Sequence, residues 1–463
     1  MTSRRLIDIS ASSWFEVGKE LATRVSAKSL FAYKFDRDAY RDEPDIEQLW
    51  TKDLAPKAKK SMKKLTPFAY DLCDGFDSVL SGLEGGYSCW ELLTLYEVDM
   101  FLHEFHFKCD LCKKRIIKGL RYMCNACLSA PESPKKKRVA EKDSSDKDRS
   151  ICQSCYTDKS TCMKCSSPLD STEILYETHG LGIANKSGCT GFGHAIASAS
   201  VVCGQTLEMA TDTYNYGRFD TIYKLTNSTT GVSVLVYDVG CILSPFGINS
   251  EGFGLCVFNL YNSDYSLPPY PPSDSRLPMA ALQWEVLLRG SKHVNEAVHF
   301  LTKTASTFTS ASFILASAVD RDTTVIEITA NNHWVPDQRK DHPSDEDNQP
   351  PAVLVDQGLG SKVIVRANNC LAGSSVQPSE SLPPNISSFK RQRNLFDSFR
   401  SNTGSVSVEW LKQALSTPTI QTDHCLGTII MEPLELKMHV RFRVGTRISS
   451  TLTNGGKWET FHL

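Results

Sequence analysis

The sequence predicts a layered α+β body interrupted by a small cysteine-rich insert. Three observations predict it. Residues 1–102 carry apolar positions at three- and four-residue spacing, the period of helices that bury one face. Residues 103–170 lose that period and turn rich in Cys, Lys and Ser, with no apolar stretch long enough to build a core. From residue 189 onward, apolar runs bounded by Gly, Asn and Ser alternate with helical blocks. Segregated helices and strands of this kind stack as layers, and 463 residues supply core for about two or three domains.

Element by element, "SWFEVGKELATRV" and "AYDLCDGFDSVLSGL" predict amphipathic helices, and "CWELLTLYEVDMFLHEF" carries the pattern to the edge of the insert. Past the insert, "ASASVVCGQTLEM", "FDTIYKLTN", "GVSVLVYDVG" and "FGLCVFNLY" predict strands. A helical block, "MAALQWEVLLRGSKHVNEAVHFLTKTA", precedes a strand pair, "SASFILASAV" and "TTVIEITAN", and then a polar loop, "VPDQRKDHPSDEDNQPP". "NLFDSFRSN" and "VEWLKQAL" are helical, and "LGTIIMEPLELKMHVRFRV" closes the chain with strands. The boundaries follow: a helical part at 1–102, the insert at 103–170 with a polar, disorder-prone loop at 128–151, a linker at 171–188, and the main body at 189–463.

Composition narrows the function classes. Lys and Arg total 51 against 53 Asp and Glu, so no global field draws the chain to nucleic acid or a membrane. The opening residues lack a secretory apolar region, and no run of 18 apolar residues occurs. The expected location is intracellular, cytoplasmic or nuclear. There, cysteines serve as metal ligands, nucleophiles or buried apolar groups rather than disulfides.

Four C-x2-C pairs follow one another: Cys109/Cys112, Cys124/Cys127, Cys152/Cys155 and Cys162/Cys165. Two intervening residues let one turn present both thiolates to a tetrahedral ion, and zinc favours four such soft ligands. Eight thiolates make two closed sites, so the expected cofactors are two structural zinc ions and no catalytic metal. A segment without an apolar core needs such staples to fold.

The wording around the pairs, "CDLCKKRIIKGLRYMCNAC", resembles the ZZ-type zinc finger. The resemblance implies a cross-braced finger, with Cys109, Cys112, Cys152 and Cys155 on one zinc and Cys124, Cys127, Cys162 and Cys165 on the other. It also implies a protein-interaction module that docks a peptide. The chain departs from the family in ending on two cysteines instead of two histidines, and in the insertion between the second and third pairs. Within that insertion Lys135, Lys136, Lys137 and Arg138 form a basic run, open to reading as a nuclear-import signal or as a solvated loop. It lacks the interleaved aromatics of a nucleic-acid patch. His103 and His106 are expected on a solvated helix end rather than on zinc.

Cys189 stands alone, directly behind Gly188. Glycine tolerates a strained backbone, and a strained Gly–Cys bond suits attack by the thiol on the preceding carbonyl. Hydrolysis of the resulting thioester would leave Cys189 as a new N-terminus. Its α-amino group, with an ordinary pKa near ~8, would then serve as the base for its own thiol.

"GCTGF", "VVCGQTLEM", "GINSEGFGLCVFNLY" and "RANNCLAG", with the opening "WFEVGKELA", resemble in order the motifs of the acyl-coenzyme A:6-aminopenicillanic-acid acyltransferase family, N-terminal-nucleophile hydrolases of peptidase family C45. The resemblance implies a four-layer αββα fold, with Cys189 as nucleophile and Gly188 as its self-cleavage partner. It implies that Glu208, where the family has Asp, holds the new ammonium group. Asn259 matches the second asparagine of an N-N-L motif, and Asn368 the asparagine of T-N-H-C, an oxyanion donor. Thr206 and Leu207 replace the family's Asn-Trp pair. Arg366 and Arg391 are the candidates for its active-site arginine. Cys203, Cys241, Cys256, Cys370 and Cys425 are expected in the core.

The expected activity is hydrolysis or transfer on a small acyl-amide or acyl-thioester, with the finger recruiting a protein or peptide. The alternative is a catalytically inactive zinc-finger adaptor or a nuclear peptide reader. If the chain divides at Gly188, the N-terminal helices are expected to cover the sheet that begins at Cys189 and to keep the two pieces together.

Overall fold

The structure, a computed structural model, describes residues 6–25, 48–83, 88–104, 120–123, 150–152, 170–173, 188–196, 200–208, 221–238, 242–260, 276–304, 307–329, 333–335, 353–356, 361–368, 387–402, 405–421, 425–442 and 456–463. The chain opens with strand β1 (Leu6–Ala11) and helix α1 (14–25). Ser13 caps α1 by accepting the Glu16 backbone N–H at 3.2 Å, a serine with glutamate three places on. Trp14, Val17, Leu21, Ala22 and Val25 form the buried stripe of α1. A π-helical turn (Leu49–Leu54) leads into α2 (Ala55–Leu65), α3 (Pro67–Leu80) and α4 (Cys89–Glu104). α1 and α3 cross with backbones touching. A methyl group on Gly18 would overlap the Leu72 carbonyl, and one on Gly75 the Phe15 carbonyl, so only glycine permits this crossing.

β2 (Leu120–Met123) and β3 (Ser150–Cys152) of the insert pair with β4 (Asp170–Glu173), which runs into the expected linker, in a three-stranded antiparallel sheet ordered β3-β2-β4. Ser150 and Ile151, expected in the polar loop, are therefore strand residues; the rest of that loop lies outside the described residues.

The main body contains β5 (Thr190–Ile196), β6 (Ser200–Glu208), β7 (Thr221–Asn227), β8 (Ser233–Asp238), β9 (Phe246–Asn249) and β10 (Phe253–Asn259). The single helical block expected next is two helices, α5 (Met279–Leu288) and α6 (Val294–Thr304), parted at Gly290 with φ +68°. Then come β11 (Ala311–Ser317), β12 (Asp322–Ile328), β13 (His333–Trp334), β14 (Val353–Asp356) and β15 (Ser361–Arg366). Helices α7 (Ser387–Ser401) and α8 (Val408–Leu415) precede β16 (Cys425–Glu432), β17 (Lys437–Phe442) and β18 (Trp458–His462).

These strands make two sheets, eight strands ordered β1-β7-β8-β9-β10-β11-β12-β13 and seven ordered β14-β15-β5-β6-β16-β17-β18. The sheets face each other through β10, β11 and β12 on one side and β5, β6 and β15 on the other. Helices α5 and α6 pack on the first sheet, α7 and α8 on the second. With both faces covered, β10 and β11 are almost wholly apolar and buried. The α+β class is as the sequence predicts, and among the described residues no helix is long and apolar enough to cross a membrane.

Two features of the first 102 residues differ from expectation. Residues 6–11 are a strand, not part of a helix, and pair parallel with β7, Leu6 opposite Ile222 through Ala11 opposite Asn227. The sheet that begins beside Cys189 is covered by α7 and α8, whereas α3 packs on α5, over the other sheet. Every residue of α5 is buried, because it is clamped between that sheet and the N-terminal helices. Such partners lie hundreds of residues apart, and no local period encodes them.

Candidate active site

Cys189 is the residue that feeds β5, with Gly188 before it. Along β5 the faces alternate. Thr190 and Phe192 point toward α7, whereas Gly191 and Gly193 meet residues between the sheets. Cys189 is 6% exposed, with Sγ 3.9 Å from the Glu208 backbone carbonyl. Burial pushes its thiol up to about 12; the Glu208 carboxylate adds to the push and the Arg391 guanidinium opposes it. In the uncut chain this is a protonated, enclosed thiol.

Asn368 follows β15 and is buried. Its Nδ2 donates to the Asn259 backbone carbonyl at 2.7 Å, and its backbone N–H donates to Ser388 Oγ at 2.9 Å. Its Oδ1 accepts from Arg391 at 3.2 Å, and Arg391 Nε donates to Thr190 Oγ1 at 2.9 Å. Gly188 adopts φ +152°, and a methyl group there would overlap both Asn368 Oδ1 and the Arg391 guanidinium. The carbonyl ahead of Cys189 therefore belongs to a residue wedged against an amide and a guanidinium, in a conformation that L side chains rarely adopt. Thr206, cross-strand from Thr190, accepts its N–H at 3.1 Å and donates to its carbonyl at 3.3 Å, which steadies the start of β5.

Thus Gly188, Asn259 and Asn368 join one polar cluster, and Cys189 ties that cluster to Glu208. Glu208 ends β6, buried, opposite Cys425 in the sheet register. Asn259 meets the cluster through its backbone carbonyl. The amide of Asn368 carries a second N–H besides the one given to Asn259.

The two arginines separate cleanly. Arg391 lies in the cluster. Arg366, wholly buried, donates to Ser312 Oγ at 3.0 Å and pairs with Glu327, a cross-sheet ion pair that ties β15 to β11 and β12. Arg391 had a sequence signal. On α7 the buried stripe runs Ser388, Arg391, Leu395, Phe399, and a cation on such a stripe needs buried acceptors, whereas Lys390 and Arg393 point outward. Two further residues escaped sequence reasoning, Thr190 and Gln205. Gln205, opposite Gly191 in the register, accepts the Val257 N–H on Oε1 at 2.8 Å and so bridges the sheets.

Cys203, Cys256 and Cys425 are buried, as expected of core cysteines; Cys241 and Cys370 lie outside the described residues. Of the eight expected zinc ligands only Cys152, in β3, is described, opposite Arg121. Cys109, Cys112, Cys124, Cys127, Cys155, Cys162 and Cys165 lie outside the described residues. His103 falls in the last turn of α4, and His106 is not among the described residues.

No family model matches the chain, and no curated protein matches it. Among solved structures it is similar to an N-acylethanolamine-hydrolyzing acid amidase ortholog from Caenorhabditis elegans, at 14% identity and TM-score 0.38, covering 53% of this chain and 93% of that one. A mutant conjugated bile acid hydrolase from Clostridium perfringens aligns at 14% identity and TM-score 0.33, over 59% of this chain and 97% of that one. A second variant of that hydrolase aligns at 13% identity and TM-score 0.30, with the same coverage.

Proposed function

We propose that this chain is a self-processing cysteine N-terminal-nucleophile enzyme of the αββα fold, an amidohydrolase or acyltransferase for a small acyl-amide or acyl-thioester. The observation that carries the reading is Gly188. It holds a positive φ directly before the buried Cys189 and is pressed against Asn368 and Arg391.

The chemistry follows from that placement. Cys189 Sγ attacks the Gly188 carbonyl carbon, the C–N bond breaks, and the departing nitrogen takes the thiol proton. Water then hydrolyses the thioester, leaving a Gly188 carboxylate and a free Cys189 thiol. One turnover per chain suffices, so an enclosed thiol of high pKa is no obstacle. The new α-amine, ordinarily near ~8, takes the thiol proton in each later cycle, with the Glu208 carboxylate to hold its ammonium form. The thiolate attacks the substrate's acyl carbon while Asn368 Nδ2 and backbone N–H groups hold the oxyanion. The amine leaves with a proton, and water or another amine collects the acyl group.

The insert fits zinc by its donor set and by its register. Arg121 pairs with Cys152, so the third cysteine pair starts at the end of the small sheet where β2 begins, after the first pair. Met123 pairs with Asp170, so the second pair leaves β2 at the end where the chain arrives from the fourth. That arrangement supports one zinc on Cys109, Cys112, Cys152 and Cys155 and another on Cys124, Cys127, Cys162 and Cys165. Both would be structural, bracing a finger that binds a protein or peptide.

A second reading is favoured by the burial of Cys189: an uncut, inactive adaptor whose thiol never leaves the interior. Intact-mass measurement decides between them. The enzyme should arrive as two chains, 1–188 and 189–463, with about two zinc ions in the same preparation by the ligand count. Cys189→Ala should arrive whole and inert, and Cys189→Ser should divide slowly. A wild-type chain that stays whole and ignores thiol-directed acyl probes would sink the enzyme.

A further inference from the structure

Two buried glutamates exchange caps between the N-terminal helices and the main body. α3 begins at Pro67, and its N-cap residue, Thr66, makes no side-chain cap; the Thr66 hydroxyl donates instead to the Met62 carbonyl at 3.3 Å. The missing acceptor is Glu285 of α5, whose Oε2 takes the Ala69 N–H at 2.9 Å. α5 has Pro278 as its N-cap residue, which has no side chain able to cap. There the acceptor is Glu97 of α4, whose Oε1 takes the Met279 N–H at 2.7 Å and whose Oε2 accepts the Thr309 hydroxyl. Each half of the molecule thus caps a helix of the other.

Both carboxyls are enclosed, Glu285 wholly and Glu97 at 2% exposure. Glu285 Oε1 has no hydrogen-bond partner among the described residues. Facing Glu285 are Arg289, one turn along α5, which favours the charged form, and Asp71 of α3, which disfavours it. Arg289 stacks over the Phe300 ring at 4.4 Å from its centroid. On the side of Glu97 the neighbours are the Met279 amide and the Thr309 hydroxyl, with Arg276 donating to the Thr307 carbonyl at 3.4 Å.

We propose that Glu97 and Glu285 form a proton-operated clasp, which seats the N-terminal helices tightly on the body in acid and loosens them toward neutral pH. Burial pushes each carboxyl from the ordinary 4.5 up to about 7, against the pull of the backbone amides. The sign follows. Between pH 4.5 and 7 the seated form keeps protons that the open form gives up. Seating is therefore strongest below 4.5, weakens through that window, and levels off above it. α4, which carries Glu97, runs on to Glu104, two residues into the cysteine-rich segment.

The clasp does not require the chain to be cut, so its test uses the uncleavable Cys189→Ala protein at full length. Native-state amide exchange, corrected for intrinsic rates, gives the opening equilibrium of the α3 and α5 first turns at pH 5 and pH 8. Opening should rise about tenfold or more over that range. Glu97→Gln with Glu285→Gln keeps an acceptor oxygen at both caps and removes the charge, so the rise should shrink to about twofold or less. An opening equilibrium indifferent to pH, or a full rise in the double variant, overturns the proposal. If the double variant does not fold, each single variant must lose part of the rise, and a single variant that keeps all of it is equally fatal.

Discussion

Arg391 gives its guanidinium to two acceptors that flank Gly188, Thr190 Oγ1 and Asn368 Oδ1. Replacing it with Met keeps a flexible stem of similar reach and deletes the donors, leaving buried acceptors unpaired at about 1–3 kcal/mol. Arg391→Met should lower the thermal midpoint by several degrees and slow division of the chain, both readable from one preparation by melting and a mass time course. Arg391→Lys should recover only part of either, because a point charge cannot serve both acceptors in the guanidinium's fixed geometry. The apolar stripe of α7 could have marked Arg391 as buried, but nothing along the sequence said that it meets Gly188. The alternative, Arg366, reads no differently along the sequence. Only the cross-sheet approach of Glu327 and Ser312 shows that it is engaged elsewhere.

Helix α7 is the element that delivers Arg391, and aromatic contacts hold it. Phe399 lies 5.5 Å from Phe192 of β5 and 5.0 Å from Trp410 of α8, ring centre to ring centre. Its ring joins sheet to helix and helix to helix. Phe399→Ala should cost about 3–5 kcal/mol and loosen α7, so the proposed self-division should slow although no residue beside Gly188 is changed. Lys390→Ala, on the outward face of the same helix, should change stability by under about 0.5 kcal/mol. Thermal melts of the two variants side by side check the contrast. Period alone predicted only the second half of α7, over 394–402; its first half, which carries Arg391, and its docking on β5 followed from nothing local.

At the scale of the whole molecule, the described N-terminal elements, β1 and α1 to α4, are built into the body rather than laid on it. β1 extends the eight-stranded sheet through β7, α3 packs on α5, and Glu97 and Glu285 exchange caps. A cut at Gly188 leaves all three links intact. If the chain divides as proposed, it should therefore elute as one species in gel filtration at pH 6, and the 1–188 chain should appear alone only in denaturant. Separation in native buffer would mean that β1 and the caps contribute less than their burial implies.

The sequence by itself determined what short-range chemistry can write. Helical and strand periods are local consequences of which side chains must leave water, so the α+β class and most elements were legible. So were the four C-x2-C pairs and the Gly188–Cys189 step, because each needs only neighbours in the chain. Strand β1 went unread because a six-residue edge strand beside a helical block has too little pattern of its own. Tertiary structure alone decided that β1 joins β7, that α7 and α8 rather than the N-terminal helices cover the sheet of Cys189, and that Arg391 rather than Arg366 stands against Gly188. It also made caps of Glu97 and Glu285. In each case the partners are far apart along the chain: apolar burial seats α7 and α8 on their sheet, and elsewhere a desolvated polar group must find an acceptor, or a donor, wherever the packed layers place one.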